Sequence, residues 1–154
     1  MNLKKEDLEK YMALVLEEAK LALKEGEIPI AALIVKDDKI LSLTHNKIES
    51  LKDATAHAEI LAIKEASKKL NNWRLDGTSL FVNVEPCTMC TGAIENARIA
   101  NVIYGTSEPK TGALGARYDL SLFNPKKIKI ISGILEEESK EIIKKTFVRK
   151  IFNN

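Results

Sequence analysis

Two cysteines, Cys87 and Cys90, have the residue type and spacing that most directly suggest chemistry in this sequence. Pro86 precedes them and suits the first turn of a helix, so the two thiols would lie one helical turn apart on the same face. Two thiolates at that spacing can bind a zinc ion, and a helix N-terminus favours the thiolate form. The Cys-x-x-Cys pattern is equally typical of a redox dithiol, so the pair alone leaves both interpretations open.

A second group, His57 and Glu59, lies near the start of a predicted helix. A lone histidine there is commonly a structural residue, and acidic residues are common at helix starts. Residues two apart on a regular helix point about 200° away from each other. The two side chains can therefore reach a common site only if that site lies across the N-terminal end of the helix, next to Thr55 and Ala56.

Taken together, His57, Cys87 and Cys90 provide three metal ligands and leave an open fourth position, as catalytic zinc sites do. Zinc in such a site lowers the pKa of water to about 7, and a neighbouring carboxylate can pass the released proton to a leaving nitrogen. His-x-Glu with Pro-Cys-x-x-Cys is the signature of zinc-dependent nucleobase deaminases. We therefore expect one zinc ion per chain on these three ligands, with Glu59 as the catalytic acid and base.

The elements that must position these residues follow from hydrophobic periodicity and turn residues. Helices are predicted over residues 6–25, 55–70 and 136–149 and from Pro86, strands over 28–35, 40–44, 80–84, 102–104 and 128–131, and loops over 46–54 and 105–125. After an opening hairpin, strands alternate with helices. This order predicts an α/β fold with one five-stranded mixed sheet and helices on both faces.

Length and composition indicate a soluble globular protein of one domain, residues 1–154. Basic residues number 24 and acidic residues 22, which gives a net charge of +2 and neither requires nor excludes a nucleic-acid partner. With two cysteines, no signal peptide and no apolar run long enough to span a membrane, we expect a cytoplasmic location.

At these motifs the sequence resembles the bacterial tRNA-specific adenosine deaminase family of the cytidine deaminase-like superfamily. The likeness covers most of the chain. It is densest over residues 28–30, 53–60 and 85–90, and it continues over 72–75, 110–113, 133–138 and 146–149.

The resemblance implies a three-layer α/β/α sandwich, and a homodimer that deaminates adenosine to inosine in tRNA at the anticodon wobble position. It also implies that Asn46 contacts the purine, and that Ile30 and Val84 line the pocket. The alternatives are that Asn46 forms a turn and that the two aliphatic residues are ordinary strand core.

Several positions depart from the family pattern, including Ala31 where glycine is common and Val84 where leucine is usual. Glu108 stands where an aspartate that touches the target ribose is expected, Arg117 where serine is usual, and Pro125 where histidine is usual. These departures concern RNA contacts and not zinc binding or proton transfer.

Other functions remain open on these residues. The same motifs occur in deaminases of a free base or nucleoside such as guanine or cytosine, and a non-catalytic zinc module that binds RNA is a further alternative. The loop with Lys110 and Arg117 favours an RNA substrate, as does the last helix, on which Lys144, Lys145 and Arg149 are predicted to point into solvent.

Overall fold

The computed structural model describes residues 3–123 and 127–153. In chain order the elements are α1 (Lys5–Lys24), β1 (Ala31–Lys36), β2 (Lys39–His45), α2 (Ile48–Leu51), α3 (Ala58–Leu70), β3 (Ser79–Val84), α4 (Thr88–Asn96), β4 (Asn101–Thr106), a 3₁₀ turn (Leu120–Phe123), β5 (Lys129–Ile131) and α5 (Glu136–Asn153). Pro125, one of the departures noted above, lies outside the described residues.

The five strands form one mixed sheet in the order β2-β1-β3-β4-β5, which confirms the predicted α/β fold. β1 pairs antiparallel with both β2 and β3, whereas β3, β4 and β5 run parallel. The β1–β2 connection turns tightly at Asp37 and Asp38, which both have positive φ, as a two-residue hairpin turn requires. Parallel neighbours need a crossover, and α4 supplies it between β3 and β4.

Helices cover both faces of the sheet and bury two separate hydrophobic clusters. α1 and α5 pack on the face that presents Leu33, Phe81 and Ile103. α3 and α4 pack on the other face, where the small side chains of α3 at positions 58, 62 and 66 lie against the sheet. Among the described residues, none of the helices has both the length and the apolar character that crossing a membrane would need.

Several element bounds differ from the predicted ones, and each difference has a local cause. β1 begins at Ala31 and not at residue 28, because Pro29 has no N–H to donate to a neighbouring strand. The predicted loop 46–54 contains the short helix α2, which is too brief to show a periodic pattern. α3 begins after His57, whose backbone is extended (φ −69°, ψ 152°), and the last helix continues to Asn153.

One end of the sheet gathers four segments that the chain supplies from distant positions. Because β1 is antiparallel to its neighbours, the start of β1 lies beside the ends of β2 and β3. The end of β4 joins them through the parallel pairing of β3 with β4. Residues just beyond these strand ends therefore meet around one space, as ligand sites in α/β sheets commonly do.

α5 reaches this end of the sheet because β4 lets it approach closely at Gly105. A Cβ atom at Gly105 would overlap the Ser139 hydroxyl and would lie 2.7 Å from the Asn83 carbonyl oxygen. Ser139 is fully buried in the first half of α5, and its hydroxyl donates a hydrogen bond to the Leu135 carbonyl. The absence of a side chain at position 105 thus sets the distance between helix and sheet.

We predict that Gly105→Ala lowers the free energy of unfolding by about 1–3 kcal/mol, because the added methyl group forces α5 away from β4. Gly92→Ala in α4 is the matched control, since a Cβ there has no neighbour within 4 Å. It should raise the free energy by about 0.5–1 kcal/mol, as alanine does within helices. Urea unfolding measures both, and equal effects of the two substitutions would contradict the close-approach account.

Candidate active site

Two helices begin at the site, and a candidate metal ligand stands directly before each of them. His57 precedes α3 and Cys87 precedes α4, and both have extended backbone angles in place of helical ones. Their side chains therefore leave the helix ends and do not lie along a helix flank. Cys90 and Glu59 follow in the first turns of α4 and α3. This arrangement is the one in which His57 and Glu59 can serve a single site.

The distances between the three candidate ligands fit a tetrahedral metal ion. The Nδ1 atom of His57 lies 3.7 Å from the Cys87 sulfur and 3.5 Å from the Cys90 sulfur. All three ligand atoms lie within 4.8 Å of one another. Zinc bonds of about 2.3 Å to sulfur and about 2.0 Å to nitrogen, at a tetrahedral angle, would separate sulfur from nitrogen by about 3.5 Å. Both the ligand types and the spacing suit zinc.

The thiols differ sharply in their protonation. A hydrogen bond from Cys90 lowers the pKa of the Cys87 thiol to about 4, and the same contact, together with burial, raises the pKa of Cys90. The hydrogen bond with Cys87 raises the pKa of His57. Cys87 is thus held as a thiolate, which is the form of cysteine that binds metal ions.

Glu59 lies beside the ligand group, with only 4% of its surface exposed. Burial raises the pKa of its carboxyl group above the usual value. A carboxyl group with a raised pKa suits reversible proton transfer near neutral pH.

These side chains border a cavity of about 280 Å³ at the end of the sheet. The predicted residues Ile30, Asn46, His57, Glu59, Val84 and Cys87 all line it, together with Ile28, Ile48, Ala58, Glu85, Glu108, Thr111, Ile143 and Thr146. Cys90 is buried next to its two fellow ligands and is not part of the lining. The structure therefore brings every predicted site residue to this one place.

Asn46 is buried, and it forms a turn in addition to lining the cavity. Its backbone N–H donates to the Ile30 carbonyl at 3.0 Å, and its side-chain oxygen accepts the N–H of Ile48 at 3.1 Å. The side-chain amide nitrogen is not used in that turn. The turn interpretation and the pocket interpretation of Asn46 are thus compatible.

Asn83 supports the site from outside the cavity lining, and the sequence analysis missed it. Its side-chain oxygen accepts the N–H of Ala31, and its side-chain nitrogen donates to the Pro29 carbonyl, both at 2.9 Å. These two bonds replace the strand pairing that Pro29 interrupts and hold Ile30 against the cavity. The available signal was one amide side chain inside an otherwise apolar strand.

Two buried carboxylates, Glu27 and Glu85, were also missed. The Glu27 carboxylate accepts the backbone N–H groups of Glu49 and Ser50, and one oxygen lies 2.7 Å from the Glu49 nitrogen. The Glu85 carboxylate accepts three backbone N–H groups between 2.9 and 3.1 Å, from positions 108, 114 and 116. An acidic residue next to the Pro-Cys motif was the visible signal for Glu85.

The departures from the family pattern differ in their placement. Glu108 lines the cavity, and its carboxylate accepts the N–H of Lys110 at 3.0 Å. Arg117 is exposed, donates to the Lys110 carbonyl at 2.7 Å and packs over the Tyr118 ring. Both lie in the segment that follows β4, beside the cavity.

Comparisons with known proteins agree with this geometry. The model of the MafB19-like deaminase family matches residues 6–151. A tRNA-specific adenosine deaminase from Bacillus subtilis is 42% identical over 133 residues, which cover 84% of this chain and 82% of that protein.

Solved structures extend the likeness to the whole fold. A structure from work on A-to-I editing by tRNA:A34 deaminases at the wobble position of transfer RNA superposes with a TM-score of 0.82 at 40% identity, covering 86% of this chain and 98% of that one. A guanine deaminase from Bacillus subtilis has a TM-score of 0.64 at 34% identity, covering 80% of this chain and 75% of that one.

Proposed function

The chain belongs to the MafB19-like deaminase family, and we propose that it deaminates adenosine to inosine in tRNA, at the anticodon wobble position. The proposal rests on one observation. Three candidate metal ligands, His57, Cys87 and Cys90, lie together with the buried Glu59 at one cavity. The tRNA-specific adenosine deaminases are similar over most of this chain and supply the substrate class.

We propose that His57, Cys87 and Cys90 hold one zinc ion per subunit. A zinc ion bound there would act as a Lewis acid that makes water acidic enough to lose a proton near neutral pH. The chain itself contributes two cysteine sulfur atoms and one imidazole nitrogen, and the thiolate state of Cys87 is already favoured in the protein.

Glu59 moves the protons of the reaction. Its carboxylate takes a proton from the attacking water as oxygen bonds to C6 of the purine, and then delivers a proton to the departing amino group. The C6–N bond breaks, and the products are inosine and ammonia. Burial raises the pKa of Glu59, which makes its carboxylate a better acceptor for the proton of water.

Asn46, Ile30 and Val84 bind and orient the base in this proposal. The Asn46 side chain lies at the cavity wall, where an amide can pair with the edge of a purine. Ile30 and Val84 offer aliphatic surfaces to the ring. All three lie at the ends of strands, and this placement limits their conformational freedom before the substrate binds.

The tRNA anticodon stem-loop is the proposed partner, and α5 is the proposed phosphate-binding element. Lys144 and Lys145 are exposed on α5, whereas Ile143 and Thr146 of the same turn line the cavity. Lys144 lies 3.5 Å from Glu141 in an exposed ion pair, which is weak in water and can be exchanged for a phosphate contact. The Arg149 side chain lies outside the described residues.

We further propose that residues 1–154 form one deaminase domain, and that two copies associate as a cytoplasmic homodimer. The family resemblance supports the dimer, and closed two-fold symmetry is the commonest form of protein association.

Free-base deamination is the second candidate, because the guanine deaminase from Bacillus subtilis shares the fold at lower identity and TM-score. The two substrates make different demands. A free base needs only the cavity, whereas RNA also needs a cationic surface beside it, and Lys144 and Lys145 provide that surface.

The proposed function predicts that purified protein converts the wobble adenosine of a tRNA anticodon stem-loop to inosine, measured by sequencing the product. Glu59→Gln should lower the rate by about 10²–10⁴-fold, because an amide cannot accept the proton. Ammonia release from guanine or cytosine, without inosine formation in RNA, would instead establish the free-base alternative. Retention of most activity by Glu59→Gln would remove this residue from the mechanism.

Metal analysis of the purified protein should find about one zinc ion per chain. Cys87→Ala should lose that metal, because two ligands bind zinc far more weakly than three. Met89→Leu is the matched control, since Met89 lies between the cysteines, is partly exposed and is not a ligand. Wild-type protein that contains no zinc and is unchanged by chelators would contradict the metal site.

Replacing Lys144 and Lys145 with glutamine should weaken stem-loop binding and reduce the salt dependence of the affinity. The slope of log affinity against log salt concentration should become shallower by about 0.7–0.9 for each phosphate contact removed. Lys36→Gln with Lys39→Gln removes the same charge at the hairpin turn, at the opposite end of the sheet, and should change the slope little. If the salt dependence of binding is equal in the two double variants, the RNA does not contact α5 through Lys144 and Lys145.

A further inference from the structure

The cavity has two rims that are formed by loop backbone and not by strand pairing. The first, here the α2 rim, is residues 46–51 and brings Asn46 and Ile48 to the cavity. The second, here the Gly112 rim, is residues 107–116 and brings Glu108 and Thr111 to it. Each rim follows the end of a strand, β2 for the first and β4 for the second.

The α2 rim is tied to the segment before β1 by Glu27. Only 1% of this residue is exposed, and its two carboxylate oxygens accept the N–H groups of Glu49 and Ser50, the second and third residues of α2. These groups have no partner within a helix of this length, because the first four N–H groups of any helix lack one. Glu27 therefore supplies, from a distant part of the chain, partners for two of the N–H groups of a four-residue helix.

The Gly112 rim is folded around Glu85 in the same manner. Glu85 is 3% exposed, and its carboxylate receives N–H groups from both the beginning and the end of the rim. A Cβ atom at Gly112 would lie 2.5 Å from this carboxylate. Gly112 also pairs with Cys87, and the Ala113 N–H donates to the Pro86 carbonyl at 2.9 Å. The Gly112 rim is thus held against the segment that follows β3 and carries the candidate ligand Cys87.

Burying a carboxylate costs solvation free energy unless hydrogen bonds replace its water. Glu27 and Glu85 both meet that condition with backbone N–H groups, and the mechanism uses neither of them for proton transfer. A nucleotide that has turned out of the RNA binds more tightly to a pocket that is already formed, because fewer protein residues lose conformational freedom on binding.

We propose that Glu27 and Glu85 are positioning residues, each of which fixes one rim of the substrate pocket through backbone N–H groups before RNA binds. The effect on substrate rests on the proposed function, whereas the effect on the rims does not. Glu27 acts on the rim that bears Asn46, and Glu85 on the rim that bears Glu108 and Thr111. The two rims are held separately.

Hydrogen exchange of the RNA-free protein tests the two tethers, and each variant is the control for the other. Glu85→Gln puts an amide donor against N–H groups, so exchange at positions 108, 114 and 116 should rise about tenfold or more. Exchange at Glu49 and Ser50 should stay unchanged. Glu27→Gln should give the reverse pattern. Unchanged exchange in both rims, or an equal rise in both rims and in β3, would overturn the proposal.

Gly112→Ala tests the second tether from the loop side, should Glu85→Gln fail to fold. The added methyl group displaces the rim from the carboxylate while leaving Glu85 in place. Exchange at positions 114 and 116 should again rise about tenfold, with the α2 rim unaffected. Normal protection of these two amides in Gly112→Ala would overturn the tether.

Steady-state kinetics on the stem-loop then tests what the rims do. Each Gln variant should raise KM about tenfold while kcat stays within about threefold, because Glu59 and the ligands are untouched. Glu49→Gln is the charge control, since it removes a negative charge from an exposed position of the α2 rim and should not raise KM. Faster hydrogen exchange in the rims together with an unchanged KM would overturn the positioning role. Wild-type protein without activity on tRNA would refute the proposed function, while the exchange data would still decide the tethers.

Discussion

The site depends on the extended backbone of His57 and Cys87, which stops α3 and α4 from starting one residue earlier. Had either residue been helical, its side chain would point along a helix flank and the ligand atoms could not converge. The convergence also requires both helices to lie on the same face of the sheet with their N-termini side by side. Small side chains in α3, at positions 58, 62 and 66, allow that close packing. Both helix dipoles then place positive potential at the thiolate of Cys87.

Three buried glutamates near one cavity have two different proposed roles, because their surroundings differ. Glu59 lies in an environment that raises its pKa, which suits proton transfer. Glu85 and Glu27 instead lie among backbone N–H groups, which occupy their oxygens with structural bonds. The residue type alone does not separate these roles. The number of N–H groups that face each carboxylate does.

The sequence predicted the order of elements, the mixed sheet and the group of His57, Cys87, Cys90 and Glu59 from local patterns. The placement of Asn46, Ile30 and Val84 at the cavity was implied by the family resemblance. Periodicity identified α1, α3 and α5. Pro86 predicts the start of the next helix, but α4 begins at Thr88, because Cys87 is its extended N-cap residue. Asn83, Glu27 and Glu85 could not be found in this way, because their partners lie 52, 22 and up to 31 positions away. α2 escaped prediction because four residues are too few for a periodic pattern, and because two of the hydrogen bonds that hold it come from the distant Glu27.

The close contact between Gly112 and Glu85 links two positions that are far apart in the chain. A side chain at position 112 and a carboxylate at position 85 would claim the same volume. The same Cβ atom would also lie 2.5 Å from the Glu108 backbone carbonyl oxygen, so a shorter residue at position 85 would not by itself make room for it. A lineage could therefore change position 112 only by remodelling the loop that carries it, so genetic drift there is tied to the loop backbone as well as to position 85.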